Sequence, residues 1–560
     1  MGGTGTRPEA GGEAEAARPS VKCAAPTAAA TLPAAENVGG QAKPPHKQSP
    51  WPPILFATAC VLYGAVVASH WSMGYIDFGD GNYLYISRRL AQGAVLYRDV
   101  LAPQPPLHLV TGWLLAKLSA LAGAPMLIVV RAFSLLLHLA MACLAARLGG
   151  ECARLAGRTD WARRCGAWAG TVYLMLPIGF WWSLGYQSEP LELIFLYGAL
   201  LLILRHDGAR SAFAAGIAAA LATLTNMTAA PYALFFLVYL AVRERRRALP
   251  CLIGLAGLWL AVTAVMELTT GAYLENVIFN QVGSFPRREF LPTGENLLTY
   301  AWRKVLSEGT DVLNLEGGFV VLALLGLAEL CSHGRRNGRT ELLAWSCLAF
   351  MLSIVYVSKG GTMDYIFTIG EPAVAVLAAL VLADVTARRE CFRAVPLRRH
   401  TGLLAWGAAL GAMGVAVWGP GAGFIVRTLG QKTYELDEYR TQQVVDLIRQ
   451  NTRPGDMVLT PPFYAFLADR KIVEDYSEIF LWTLKYYNEQ QDGVRGRGIE
   501  TVERIAQALE KKAVRFVALD MDQTARIPEI RSAIERNYRP LRQNEFRTLN
   551  TRLMFYVPRE

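Results

Sequence analysis

Apolar runs of about 20 residues recur along this chain, separated by short polar or basic connections. A helix rises about 1.5 Å per residue, so each run is long enough to cross a hydrocarbon core of about 30 Å. The first runs from Pro53 to Ser69. Further spans are expected near 126–148, 166–182, 190–204, 211–227, 229–242, 250–268, 315–331, 341–357, 365–384 and 401–419. Residues 107–122 are apolar but short and interrupted by Lys117, which predicts an interfacial or re-entrant helix. The pattern therefore predicts a polytopic α-helical membrane protein with about eleven transmembrane helices.

Residues 1–50 carry almost no large apolar side chains and are rich in Ala, Gly, Pro and Glu. They cannot bury enough surface to offset ordering entropy, so a disordered tail is expected. No apolar stretch occurs before Ile54, which argues against a signal peptide. From 420 to 560 charge rises and the apolar runs shorten. Strands are expected at 457–460, 514–519 and 553–557, and helices at 437–450 and 499–511, with a turn at Arg453-Pro454-Gly455-Asp456. That alternation predicts a small soluble α/β domain. The organisation is a tail at 1–50, a membrane region at 51–419 and a C-terminal domain at 420–560.

Composition agrees: 53% of the 560 residues are hydrophobic and 18% charged, where a soluble domain carries about 25%. The net charge of +10 does not signal nucleic acid. Arginines cluster in connections on one side: 154–164, 205–210, 243–247, 335–339 and 388–399. With the tail cytoplasmic, an odd number of spans puts these connections inside and everything after 419 outside the cell membrane, as the positive-inside rule requires. None of the nine cysteines falls in an outer connection or after Cys391, so no disulfide framework is expected, and no Cys/His cluster suggests a metal site.

Candidate chemistry concentrates after the first span, in Asp77-Phe78-Gly79-Asp80-Gly81-Asn82-Tyr83, Tyr97-Arg98-Asp99 and Pro103-Gln104-Pro105-Pro106-Leu107-His108. A partly desolvated carboxylate at a membrane surface can serve as a general base. Asp80-Gly81 is equally a good turn, and either aspartate can cap the following helix. Ser188-Glu189-Pro190-Leu191 opens one span, where a carboxylate also suits a helix N-terminus. Asp364-Tyr365 and Glu371-Pro372 open another; a carboxylate within the membrane is a functional candidate, or pairs with a cation such as Lys359. The outer loop 269–314, with Arg287, Arg288, Arg303 and Lys304, is either a cover for a site or a surface loop with an amphipathic helix.

An acidic residue after the first span, a Tyr-bearing helix ending in Gly, then Tyr-Arg-Asp and Pro-Pro-Leu resemble the first outer loop of GT-C fold glycosyltransferases. The protein O-mannosyltransferases, the lipid A aminoarabinose transferases and their bacterial relatives are the most similar groups. The resemblance, over roughly residues 50–380, implies inverting transfer of a sugar from a polyprenyl-phosphate donor to a hydroxyl on a glycan, lipid or protein acceptor. Asp80 matches the family's base, with Asp77 and Glu189 as further acidic candidates. Arg98, Lys359, Arg287 and Arg288 are candidate phosphate contacts, and Tyr83 and His108 are further candidate substrate-binding residues. The sequence departs from the family where Gln104 and Asn226 replace common lysines. Asp77, Asp80 and Glu189 offer hard oxygen ligands to a divalent metal, though members differ in needing one. A transporter or lipid flippase would show charges buried mid-span and repeated halves, which are not evident; a non-catalytic GT-C scaffold is the third reading.

Overall fold

The computed structural model describes residues 51–69, 80–183, 185–279, 296–333, 338–359, 364–392, 421, 423, 426, 438–477, 502–520, 527–547 and 552–560. The tail 1–50, Asp77, Arg287, Arg288 and the span expected at 401–419 lie outside the described residues.

Thirteen α-helices precede residue 393 among the described residues. They are α1 (Trp51–Ser69), α2 (Asn82–Ala91), α3 (Pro106–Ala122), α4 (Met126–Leu155), α5 (Ala162–Met175), α6 (Pro177–Ser183) and α7 (Glu189–Arg205). Then follow α8 (Ala209–Thr225), α9 (Ala230–Arg243), α10 (Arg245–Thr270), α11 (Leu297–His333), α12 (Gly338–Met351) and α13 (Glu371–Phe392). Among the described residues, five helical segments are long and apolar enough to cross a membrane: 52–69, 126–155, 245–270, 297–332 and 338–358.

Proline sets several boundaries. The span expected at 166–182 is broken, because Pro177 disfavours a helical Leu176, which sits extended at φ −68°, ψ 125° between α5 and α6. The span expected from 365 begins instead at Glu371, ahead of Pro372, with a 3₁₀ segment over Asp364–Ile369 before it. The α12 helix continues as a 3₁₀ segment, Leu352–Lys359. In the outer loop expected at 269–314, residues from Leu297 onward belong to α11. At 37 residues α11 is about 55 Å long, well beyond a hydrocarbon core.

The basic connections gather at one end of the bundle. Arg205 meets Glu151 at 3.4 Å, Arg158 meets Glu329 at 3.3 Å, Arg243 meets Glu341 at 2.7 Å, and Arg339 pairs with Asp207. The opposite ends of these helices carry Glu189, Asn226 and Glu371.

Beyond residue 437 lie α14 (Glu438–Asn451), α15 (Pro462–Ala468), α16 (Val502–Glu510) and α17 (Pro528–Asn537). They accompany strands β1 (Met457–Leu459), β2 (Lys471–Ile472), β3 (Val514–Asp520), β4 (Tyr538–Arg547) and β5 (Arg552–Pro558). The sheet order is β2-β1-β3-β5-β4. Strands β2, β1 and β3 run parallel, with Val458 opposite Ile472 and Leu459 opposite Val517; β5 is antiparallel to β3, with Ala518 opposite Phe555. Phe516, Val517 and Ala518 are all fully buried, so the central strand is covered on both faces, as parallel strands flanked by helices are.

This part grips α2. Buried Asp475 accepts hydrogen bonds from the Tyr85 hydroxyl at 2.7 Å and from Arg89 Nε and Nη2 at 2.7 and 3.0 Å. The Ile472 N–H donates to the Tyr85 oxygen at 2.9 Å. Arg88 donates to the carbonyls of Phe466, Ala465 and Arg470 at the end of α15. Glu474 and Asp475 both hold left-handed backbone, at φ 55° and 51°, a strained conformation for side-chain-bearing residues.

Candidate functional site

The chain reaches α2 through Asp80 and Gly81, the last residues before the helix. Asp80 is fully buried and does not cap α2. Its Oδ2 is ion-paired with Arg131 of α4, and its Oδ1 accepts the Tyr186 N–H at 2.8 Å. Burial pushes the carboxyl above its usual range, against the opposing pull of the guanidinium and that N–H. Arg131 is itself buried, on the same face of α4 as Ser134 and His138.

Aromatic rings close in beside the ion pair. His108 stacks on Tyr186 with centroids 4.2 Å apart, and Tyr83 meets the His108 ring edge-on at 4.5 Å. The Tyr186 hydroxyl donates to the His108 carbonyl at 3.0 Å. Neither His108 ring nitrogen has a hydrogen-bond partner, and burial pulls its pKa down to about 3, so the ring is neutral. Proline at the first turn starts α3 and Gly123, left-handed at φ 62°, ends it, which fixes His108 against Tyr186.

Next to this shell is a narrow cavity of about 10 Å³, room for about one water molecule. It lies among the N-terminal ends of α7 and α13, with α4, α5 and α6 around it, and Glu189, Glu371, His138, Tyr173, Trp182 and Tyr365 in its lining. Glu189 is buried, and Asn226 donates to its Oε1 at 3.4 Å. Glu371 accepts the Gly179 N–H at 2.5 Å. A Cβ at 179 would run into the Glu371 carboxylate, which would have to move aside. Tyr173 lies 3.5 Å from His138 Nδ1, whereas His138 Nε2 and Trp182 Nε1 have no hydrogen-bond partner. The Trp182 and Tyr365 rings meet edge-on at 5.2 Å.

The sequence-derived candidates thus divide. Asp80, Tyr83 and His108 form one buried cluster, and Glu189 lines the adjoining cavity. Arg98 stands apart, 53% exposed and bound to its neighbour Asp99 at 2.9 and 3.0 Å. That hydrogen bonding holds the Asp99 carboxyl below its usual range. Tyr97 is buried at φ 66°, its hydroxyl donating to the Gln104 carbonyl at 2.8 Å. Of Lys359 only the backbone is described. Among the described residues no three His, Cys, Asp or Glu side chains gather as a metal-holding group. Sequence reading passed over Arg131, His138, Tyr186 and Trp182. An Arg and a His seven residues apart in an apolar span were the available signal for the first two.

No protein-family model and no curated protein matches this chain. Solved structures do. ArnT from Cupriavidus metallidurans bound to undecaprenyl phosphate superposes with a TM-score of 0.57 at 13% identity, covering 89% of this chain and 97% of that one. The Archaeoglobus fulgidus oligosaccharyltransferase in its apo form gives 0.54 at 13% identity, over 91% of this chain and 74% of that one. The Archaeoglobus fulgidus oligosaccharyltransferase AglB, in complex with an inhibitory peptide and a dolichol-phosphate, gives 0.50 at 12% identity, over 91% and 75%. All are glycosyltransferases of the GT-C fold, and this chain is a membrane protein with that fold.

Proposed function

We propose that this protein is a membrane glycosyltransferase that moves a sugar from a polyprenyl-phosphate donor to an acceptor hydroxyl, with inversion, on the extracytoplasmic side. The observation that carries the reading is the group of buried carboxylates, Asp80, Glu189 and Glu371, in a fold whose solved examples bind undecaprenyl phosphate or dolichol-phosphate. The bundle has about eleven spans. The arginine-paired end faces the cytoplasm, and residues 420–560 form an outer domain that helps select the acceptor.

In this scheme the acceptor oxygen attacks the anomeric carbon as a carboxylate takes its proton. The bond from that carbon to the phosphate oxygen breaks, and the lipid phosphate leaves. Arg287, Arg288 and Lys359 are the proposed cations for its charge, ahead of Arg98, which Asp99 already engages. Asp80 is the proposed base. For this role Arg131 must loosen its hold, because Asp80 is fully buried and its Oδ2 is held by the guanidinium. One observation favours a second assignment: Glu189 lines the cavity and Asp80 does not.

The test is sugar transfer in membranes from a panel of radiolabelled polyprenyl-phosphate sugars. Wild type is compared with Asp80→Asn and Glu189→Gln at matched expression. Loss of the true base lowers turnover by about 10²–10⁴-fold. A collapse in Asp80→Asn alone supports Asp80, and a collapse in Glu189→Gln alone moves the base to Glu189. No transfer from any donor by wild type, with glycan, lipid and peptide acceptors supplied, sinks the reading in favour of a transporter or scaffold.

A further inference from the structure

Resting on the transferase reading with Asp80 as base, we propose that Asp475 is a positioning residue: by holding Tyr85 and Arg89 it sets where α2 lies, and so where α2 carries Asp80. The first link is the joint between Asp80 and the helix. Gly81 has helical backbone, at φ −63° and ψ −46°, and Asp80 lies in the helical turn that leads into α2. Asp80 therefore rides on the helix instead of hanging from a loose loop. Tyr85 and Arg89 follow it by five and nine positions. That is roughly 8 and 14 Å along the axis, at a rise of about 1.5 Å per residue. A helix this short moves as one rod, so a shift at those two side chains reaches the carboxylate.

The second link is the grip. Asp475 is buried, and both of its oxygens are used. Oδ1 accepts from the Tyr85 hydroxyl and from Arg89 Nε, each at 2.7 Å, and Oδ2 accepts from Arg89 Nη2 at 3.0 Å, with Lys471 Nζ at 3.3 Å. A two-pronged contact between guanidinium and carboxylate fixes direction as well as distance. The Tyr85 oxygen is committed too, since it accepts the Ile472 N–H at 2.9 Å. The backbone is bent to make this contact. Glu474 and Asp475 are consecutive side-chain-bearing residues in left-handed backbone, which costs free energy and persists only where the surroundings hold it. Here the hydrogen bonds to α2 are among those surroundings. The third link is the other end of the rod. Arg131 of α4 and the Tyr186 N–H, between α6 and α7, hold Asp80, and both belong to the helix bundle. The helix is thus tied at its start to the bundle and along its length to the sheet-bearing part. For Asp80 to act as a base Arg131 must release it, and the position of α2 decides how far the carboxylate stands from that guanidinium. A misplacement of about 1 Å can cost about 100-fold in rate.

The experiment reads Asp80 directly and then the reaction. Full-length protein in nanodiscs is treated with a water-soluble carbodiimide and glycine ethyl ester, and labelling at Asp80 is read by mass spectrometry. In wild type this carboxyl is fully buried and labels slowly. Asp475→Ala is expected to raise its labelling rate at least tenfold, while Glu189 and Glu371 label no faster, which separates a released α2 from an unfolded bundle. Asp475→Asn, which keeps one acceptor oxygen and loses the charge, raises it by less. Val517→Ala is the control: Val517 is buried in β3 and makes no part of the grip, so its loss loosens the sheet without releasing α2. In the transfer assay Asp475→Ala lowers kcat at least tenfold with the donor KM within twofold, and Val517→Ala leaves kcat within twofold. Asp80 labelling unchanged in both Asp475 variants, labelling or kcat changed as much by Val517→Ala, or an exposed Asp80 with kcat intact overturns the inference. The transferase reading fails separately: no transfer by wild type, with Asp80 exposed in Asp475→Ala, removes the reaction and leaves the coupling between the sheet and α2. Transfer that survives Asp80→Asn overturns the inference and leaves the reaction.

Discussion

At the residue scale the centre is the pair of Asp80 and Arg131. A buried carboxylate is costly unless paired, and breaking such a pair by removing one partner typically costs about 3–5 kcal/mol. Arg131→Met should therefore destabilise the protein by about that much, and Asp80→Asn added to it should restore more than half, because the stranded charge is gone. Thermal melts of the two single variants and the double variant in detergent check this. Additive losses would mean that the two side chains do not share one energetic unit. The sequence made Asp80 legible, since its setting between Gly79 and Gly81 resembles a known loop, but not its partner. Arg131 lies 51 positions away, and although an Arg inside an apolar span signals a protein-facing role, nothing in the sequence says which carboxylate it meets.

At the element scale, helix existence was legible because apolar length is a direct consequence of bilayer thickness. Helix ends were less so. Pro177 and Pro372 break or delay helices that hydropathy averages run straight through, and both breaks fall beside the cavity. Packing between helices was not legible at all. Helices α8 and α10 cross closely because Gly216 lies on the Cys251 backbone and Gly254 on that of Phe213. In lipid, where tails compete equally for apolar surface, such small-residue contacts hold helices together. A Cβ at 254 would sit 3.0 Å from the Ile217 nitrogen and nearer still to the Phe213 oxygen, and neither backbone group can yield. Gly254→Val should destabilise the fold by about 1–3 kcal/mol, lowering the melting temperature, while the same change at Gly257, with open space around it, should do nothing measurable.

At the scale of the whole molecule two features organise the chain. Ion pairs tie the basic connections together at one end, and the sheet-bearing part holds α2 through Asp475 and Arg88. The first agrees with the arginine bias in the sequence. The second had no sequence signal, since Tyr85, Arg88 and Arg89 look like an ordinary polar helix face. Asp475→Ala removes hydrogen bonds to a charged group, each contributing about 1.5–3 kcal/mol. Amide hydrogen exchange across Asn82–Ala91 should accelerate in that variant while exchange in α4 stays slow; equal exchange in both proteins would show that α2 stands without the grip. That grip also has a consequence for synthesis. The Tyr85–Asp475 contact spans 390 positions. At about 5–20 residues per second, α2 leaves the ribosome roughly 20–80 s before its partner exists. Through that interval Arg88 and Arg89 are solvated by water in place of the groups that later receive them, so α2 acquires its final anchorage only when translation is nearly complete.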